Sequence, residues 1–228
     1  MPAQRGYRQG CGIARGLDIV GERWSLLVVR ELLLGPKRFT DLQQALPSAS
    51  PNALSDRLRE LTGAGVIVRR ALPMPAGVRV YELTTWGREL EPIVLALGTW
   101  ALAAPATPEQ RFVSADSAML TIRTYARPAP GRPAATLRIE LRDHGPAGTF
   151  GVRLTADGAE IIREPLDSPD VTVITTTDAL LSAFGHGPAV PGSVTTGDPE
   201  AVRHLLAAVQ IKPSEDDSAY DRSARDPH

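Results

Sequence analysis

Four polar residues share one side of the short amphipathic stretch "NALSDRLRELTG": Asn52, Ser55, Asp56 and Arg59. Leu54, Leu58 and Leu61 fall within a narrow arc at helical spacing, with Asn52, Asp56 and Arg59 roughly opposite and Ser55 at the edge. Asn, Ser and Arg are side chains that hydrogen-bond base edges in the major groove of DNA. Asp56 would repel phosphate there, so it either accepts from a cytosine amino group or orients Arg59. A solvated helix also turns polar residues outward, so the neighbouring elements must decide what this face meets.

Ser50 can cap this helix with Pro51 in its first position, and Gly63 and Gly65 end it. Upstream, "RFTDLQQALPSAS" predicts a short helix with Thr40 as N-cap, carrying Leu42, Ala45 and Leu46 and broken by Pro47. Before that, Ile19, Val20, Trp24, Leu27, Val28 and Leu32 recur at helical spacing and predict one buried helix from Arg15 to Leu34, stopped by Gly35-Pro36. Downstream, "VIVRRALP" and "GVRVYELT" read as a hairpin. Thr85 then opens a helix with Leu90, Ile93, Val94, Leu97 and Trp100 along one broad side. Helix, short helix, turn, second helix and hairpin make a winged helix-turn-helix, whose second helix enters the major groove.

The stretch from Cys11 to about Trp100 resembles the HxlR-type winged helix-turn-helix regulators, a branch of the MarR-like group. The matching residues are Cys11, "GERWSLLVVRELLLGPKRFTDLQQALPSASPNALSDRLRELTGAGVIVRR", "VYELT" and "GRELEPIVLALGTW". The resemblance implies a homodimeric transcription factor, most commonly a repressor, on a pseudo-palindromic double-stranded DNA operator. Carried onto this sequence, it makes residues 50–61 the recognition helix, with Ser50, Asn52, Ala53, Ser55, Asp56 and Arg59 facing the bases. Arg38, Thr40 and Arg57 would hold phosphate, and Arg69, Arg70 and Arg79 would lie on or beside the wing. Dimerisation would use the first helix and the helix from Trp86 to about Ala103. Cys11 sits where some members carry a cysteine that senses oxidants or electrophiles; for a lone thiol the ordinary reading is burial beside the first helix.

The second half changes character. "AMLTIRTYA", "ATLRIELR" and "TFGVRLT" alternate apolar and polar residues and predict antiparallel strands covered on one side. "TADGAEI" supplies a hairpin turn, "DVTVITT" another strand, "TDALLSAFGHG" a helix, and "GDPEAVRHLLAAV" a helix with Asp198 as N-cap and Pro199 in its first position. The run "PDVTVITTTDALLSAFGHG", a spacer and "GSVTTGDPEAVRHLLAAV" resemble the sterol-carrier-protein-2-like lipid-binding fold. What that resemblance implies is a sheet with helices over one face and an apolar cavity between them. Its lining would come from Leu120, Ile122, Ile139, Phe150, Val152 and Val173 of the predicted strands. Leu180, Leu181, Phe184, Val202, Leu205 and Leu206 would complete it from the helices. The same residues make an ordinary core.

The expected organisation is therefore α+β: a DNA-binding and dimerisation domain over 1–104, a linker over 105–117, a ligand-binding α/β sandwich over 118–211 and a disordered tail over 212–228. Residues 1–104 hold 13 Lys plus Arg against 9 Asp plus Glu, a balance of +4, and the remainder holds 12 against 17, a balance of -5. A mildly basic first half suits a polyanionic partner. A single cysteine, no apolar run long enough for a membrane span and no apolar leader point to the cytoplasm. Catalysis finds no support, because His144, His186, His204 and His228 are far apart without metal-ligand spacing, and no cofactor is implied. The function expected is a repressor whose second half binds a hydrophobic effector that alters DNA binding. The alternatives are a sequestering protein that regulates itself, and a regulator whose second half only oligomerises.

Overall fold

The computed structural model describes residues 6–72, 77–101, 112–164, 166–184 and 189–211. Its first half is built from α1 (Gly12–Val20), α2 (Ser25–Leu32), α3 (Phe39–Ala45), α4 (Pro51–Gly63), β1 (Ile67–Ala71), β2 (Arg79–Leu83), α5 (Thr85–Arg88) and α6 (Glu91–Ala101). The single helix expected from Arg15 to Leu34 is two. Gly21 follows α1, and a Cβ there would stand 2.4 Å from the Leu17 carbonyl oxygen; Trp24 takes a left-handed φ of 77° at the start of α2. The apolar spacing runs through this break, so periodicity alone does not reveal it. The expected helix does start at Thr85 but is likewise two, α5 and α6, and Thr84 caps the first, its Oγ1 accepting from the Gly87 amide at 2.9 Å.

Leu54, Leu58 and Leu61 of α4 are buried, as are Val28, Val29 and Leu32 of α2 and Leu42 of α3. The hairpin pairs β1 with β2 in antiparallel register, Arg69 opposite Tyr81. Lys37, in the turn between α2 and α3, extends this sheet by one bridge: its amide donates to Tyr81 O at 3.0 Å and its carbonyl accepts from Tyr81 N at 2.8 Å.

The second half comprises α7 (Ala115–Tyr125), β3 (Ala135–Leu141), a 3-10 segment at Arg142–Gly148, β4 (Thr149–Thr155), β5 (Gly158–Ile162), β6 (Val171–Thr175), α8 (Thr177–Ala183), β7 (Val194–Gly197) and α9 (Pro199–Ala208). The expected strand "AMLTIRTYA" is the helix α7. Alternation at Leu120 and Ile122 suits a strand, but Ala115, Ala118, Met119, Ile122 and Tyr125 are buried at helical spacing, and Ser114 Oγ accepts from the Ser117 amide at 3.2 Å. The cap and the helical burial override the β-branched Thr121, Ile122 and Thr124. This helix also crosses the boundary expected between linker and second domain, and residues 105–111 of that linker lie outside the described residues, as do His186, His228 and the tail at 212–228.

The sheet has the order β5-β4-β3-β6-β7, parallel between β3 and β6 and antiparallel elsewhere. Register places Leu137, Val152 and Val171 side by side, and Ile139 beside Phe150 and Val173, so one face is continuously apolar. α9 packs on β3 and β6, α7 on β5 and α8 on α7. Strand β7 is exposed throughout and lacks alternation; its only signal is the short β-branched run Val194-Thr195-Thr196.

The two halves meet along α7, which packs against α2 and α6. Their apolar residues join one core cluster, and charged groups are buried at the seam. Glu31 of α2 accepts from Arg30 and from Ser114 Oγ at 2.6 Å, while Lys37 Nζ lies 3.0 Å from Asp116 Oδ1 and 3.4 Å from Glu31 Oε2. Arg163, just beyond β5, donates to Asp116 Oδ1 at 2.7 Å. Burial raises the Asp116 pKa above the ordinary carboxylate range, with Lys37 and Arg163 opposing that rise.

Candidate nucleic-acid interface

α4 presents its polar side because its other side is committed to the core. Its start is fixed by Ser50, whose Oγ accepts from the Ala53 amide at 3.2 Å, with Pro51 in the first helical position. Its end is fixed by Gly65 at φ 78°, which lets the Val66 amide reach Leu61 O at 3.0 Å. Ser50, Asn52, Ser55 and Arg59 are exposed along the outward side, and Ala53 and Asp56 are half-buried. Asp56 Oδ1 accepts from Arg59 Nη2 at 2.9 Å. That pair leaves Asn52 and Ser55 without side-chain partners among the described residues and aims the guanidinium along the helix.

The predicted phosphate contacts divide. Arg38 and Thr40 are exposed at the start of α3, but Thr40 does not cap it: Arg38 is the N-cap residue, and its amide donates to Asp41 Oδ2 at 2.9 Å. Arg57 is half-buried and ion-paired with Glu60, with Glu22 at 4.0 Å, so its charge is largely answered within the chain. On the wing, Arg70 pairs with Glu82, which also takes Arg88 at 3.2 Å. Arg69 is exposed and lies over the Tyr81 ring at 5.7 Å, and Arg79 is exposed on the neighbouring strand. Of the predicted cations, Arg38, Arg69 and Arg79 have no ion-pair partner among the described residues, while Arg59 is exposed and shared with Asp56.

Cys11 is exposed, not buried as the ordinary reading had it. It is the N-cap of α1, its Sγ accepting from the Ala14 amide at 3.4 Å. The residues expected to line an apolar cavity are buried in the second half's core, apart from the half-buried Leu181. None of them lines the cavity described below. Sequence reasoning missed the buried Glu31, Lys37, Ser114 and Asp116. The available signal was a lone glutamate inside the apolar run "LLVVRELLLG", whose Ser114 partner lies 83 residues away.

The sequence pattern of the HxlR-like helix-turn-helix family matches residues 19–107, which takes in the helices and the wing just described. The HTH-type transcriptional regulator YvaP of Bacillus subtilis (strain 168) is 41% identical over 88 residues, covering 38% of this chain and 81% of that one. The HTH-type transcriptional regulator YodB of the same organism is 32% identical over 84 residues, covering 37% of this chain and 75% of that one. A solved structure of the redox regulator HypR in its oxidized form is 31% identical, with a TM-score of 0.40, and covers 42% of this chain and 100% of that one. With YvaP alike over four-fifths of its length, and the matched residues spanning α2 to α6, the chain belongs to the HxlR-like helix-turn-helix family.

Proposed function

We propose that the protein is a homodimeric, sequence-specific DNA-binding repressor whose second half answers a small molecule. The observation that carries the DNA-binding part is the exposed polar side of α4, where Asn52, Ser55 and Arg59 stand clear of a helix held by three buried leucines. Free cations on α3 and the wing flank it, as phosphate contacts must flank a helix seated in the groove.

Homodimerisation is supported by apolar surface that the described residues leave uncovered. Ile13 and Leu17 of α1 and Ile93, Leu97 and Trp100 of α6 are exposed, Trp100 by 75%. Between these helices lies a cavity of about 200 Å³ lined by Ile19, Val20, Trp86, Leu90 and Ile93. These are the two helices the family resemblance assigns to a dimer interface.

The sterol-carrier-like reading of the second half is supported by a five-stranded sheet packed against α7 and α9, with α8 on α7. A hydrophobic effector seated there would replace side-chain contacts of Leu120, Ile139, Phe150 and Leu180, all buried in this structure. Such an effector moves DNA affinity only to the extent that it binds the two states unequally.

The test is a gel-shift comparison of full-length protein and Arg59→Ala on DNA from the protein's own upstream region and on scrambled DNA of equal length. Loss of a base-edge contact should weaken specific binding by roughly 10-fold to 100-fold, about 1–3 kcal/mol, and change scrambled DNA much less. Equal losses on both would remove Arg59 from base reading.

A further inference from the structure

Three arginines gather around one tyrosine of the wing. Tyr81 of β2 carries the Arg69 guanidinium over its ring at 5.7 Å, and Arg79, opposite Ala71, stands two residues from Tyr81 on the same strand face. The Tyr81 backbone is also bridged to Lys37, and Arg38 directly follows that bridge. Arg38, Arg69 and Arg79 are exposed and have no carboxylate at ion-pair distance among the described residues, whereas Arg57, Arg59, Arg70 and Arg88 are all paired. Cations gathered without counter-charge repel one another and attract a polyanion that reaches them.

The chain itself supplies such a polyanion. The run "SEDDSAYD", residues 214–221, carries Glu215, Asp216, Asp217 and Asp221 with no cation among them, a net charge of -4 that no other run of eight residues matches. The last described residues set where this run starts. The Gln210 amide donates to Tyr125 O at 3.2 Å and Val209 is bridged to Ala126, so residue 211 stands beside the end of α7. Two residues before Tyr125, Arg123 is paired at 2.7 Å with Glu91, at the start of α6. Glu91 follows closely on α5, whose Arg88 is paired with Glu82 of β2. The ten residues from Ile211 to Asp221 span at most roughly 35 Å, more than the roughly 30 Å across a compact domain of about ninety residues. The acidic run is therefore long enough to reach the Tyr81 side of the wing.

We propose that residues 214–221 dock on Arg38, Arg69 and Arg79 as an internal polyanion, holding the phosphate-binding edge of the winged helix until DNA displaces them. Tethering favours this occupant over a separate acidic protein, because it presents the run at an effective concentration of the order of 1 mM. A segment that binds with a Kd of about 0.1 mM then lowers DNA affinity by about ten-fold. The released run recruits cations as the DNA phosphates lose theirs, so docking also flattens the salt dependence of DNA binding. This regulation rests on the DNA-binding reading, whereas the docking itself does not.

Full-length protein carrying Glu215→Gln, Asp216→Asn and Asp217→Asn is compared with wild type on upstream DNA. The variant should bind about ten-fold tighter at about 50 mM salt and about equally at about 300 mM. A matched variant, Asp157→Asn with Glu164→Gln and Asp167→Asn, removes the same charge from exposed positions of the sheet half and should stay within about two-fold of wild type. Equal tightening in the two variants would reduce the effect to net charge and overturn the docking. Without DNA, a dye-labelled peptide of residues 212–225 is titrated onto the tail-neutralised full-length variant and read by fluorescence anisotropy. A Kd of about 0.1 mM, weakened about three-fold or more by Arg69→Ala and by Arg79→Ala in the same background, supports the docking. No binding at about 1 mM peptide, or binding indifferent to both arginines, overturns it. Peptide docking with unchanged DNA affinity in the tail variant overturns the regulation. Peptide docking by a protein that ignores DNA leaves the docking standing and removes the regulator reading.

Discussion

Replacing Lys37 by methionine removes a cation shared by two buried carboxylates while keeping the length of the aliphatic stem. The lysine Nζ sits 3.0 Å from Asp116 and 3.4 Å from Glu31, an attraction of roughly 5 kcal/mol for the nearer contact at an effective dielectric near 20. Part of this is offset because the ammonium no longer has to be desolvated, and Arg163 and Arg30 still serve the two carboxylates. The net loss should therefore fall at the low end for a broken buried pair, about 3 kcal/mol at pH 8. For a chain of this size that is a Tm drop of roughly 10 °C. The loss should also depend on pH in a definite direction. Burial already raises Asp116, and Lys37 is the foremost influence holding it down, so the variant raises it further. A carboxyl raised in the native state holds a proton that the unfolded chain has released, so stability declines as pH climbs through the folded pKa. In Lys37→Met that decline extends to higher pH, and the deficit against wild type should be smaller at pH 5 than at pH 8. Urea unfolding at both pH values measures it. Deficits equal at pH 5 and pH 8 would refute the shared-cation account of the seam.

Gly87→Ala should destabilise the wing's attachment by about 3 kcal/mol in urea unfolding, because an added Cβ would lie 2.0 Å from the Val66 carbonyl oxygen, a backbone atom that cannot step aside. A loss under 1 kcal/mol would show that α5 shifts freely against the wing. Ile93→Asp, on the exposed side of α6, should give a monomer by light scattering and weaken operator binding by at least ten-fold without changing the circular dichroism spectrum. A dimer that survives this change would place the interface elsewhere.

The winged helix was legible because its signals are local. Ser50-Pro51, the leucine arc of α4, Gly65 and the two β-branched runs each fix a boundary within a few residues. The breaks at Gly21–Trp24 and between α5 and α6 were not, since apolar spacing continues through them. α7 was misread because Leu120 and Ile122 fit a strand's period of two, while its helical set Ala115, Ala118, Met119, Ile122 and Tyr125 is partly built of small alanines; the arbiter was a cap at Ser114 that a strand does not need. The pairing of Arg57 with Glu60 and of Arg70 with Glu82 was hidden, because it depends on side-chain reach and strand register. The seam between the halves was the least legible feature: Glu31 and Ser114 are 83 residues apart, beyond the reach of any local pattern.

The most direct test of the central claim is a footprint of the full-length protein on its own upstream DNA. The account predicts two protected half-sites on one face of the duplex, with centres one or two helical turns apart and contacts in successive major grooves. Protection that follows no sequence, or a single half-site bound by one chain, would contradict a dimer reading DNA through α4.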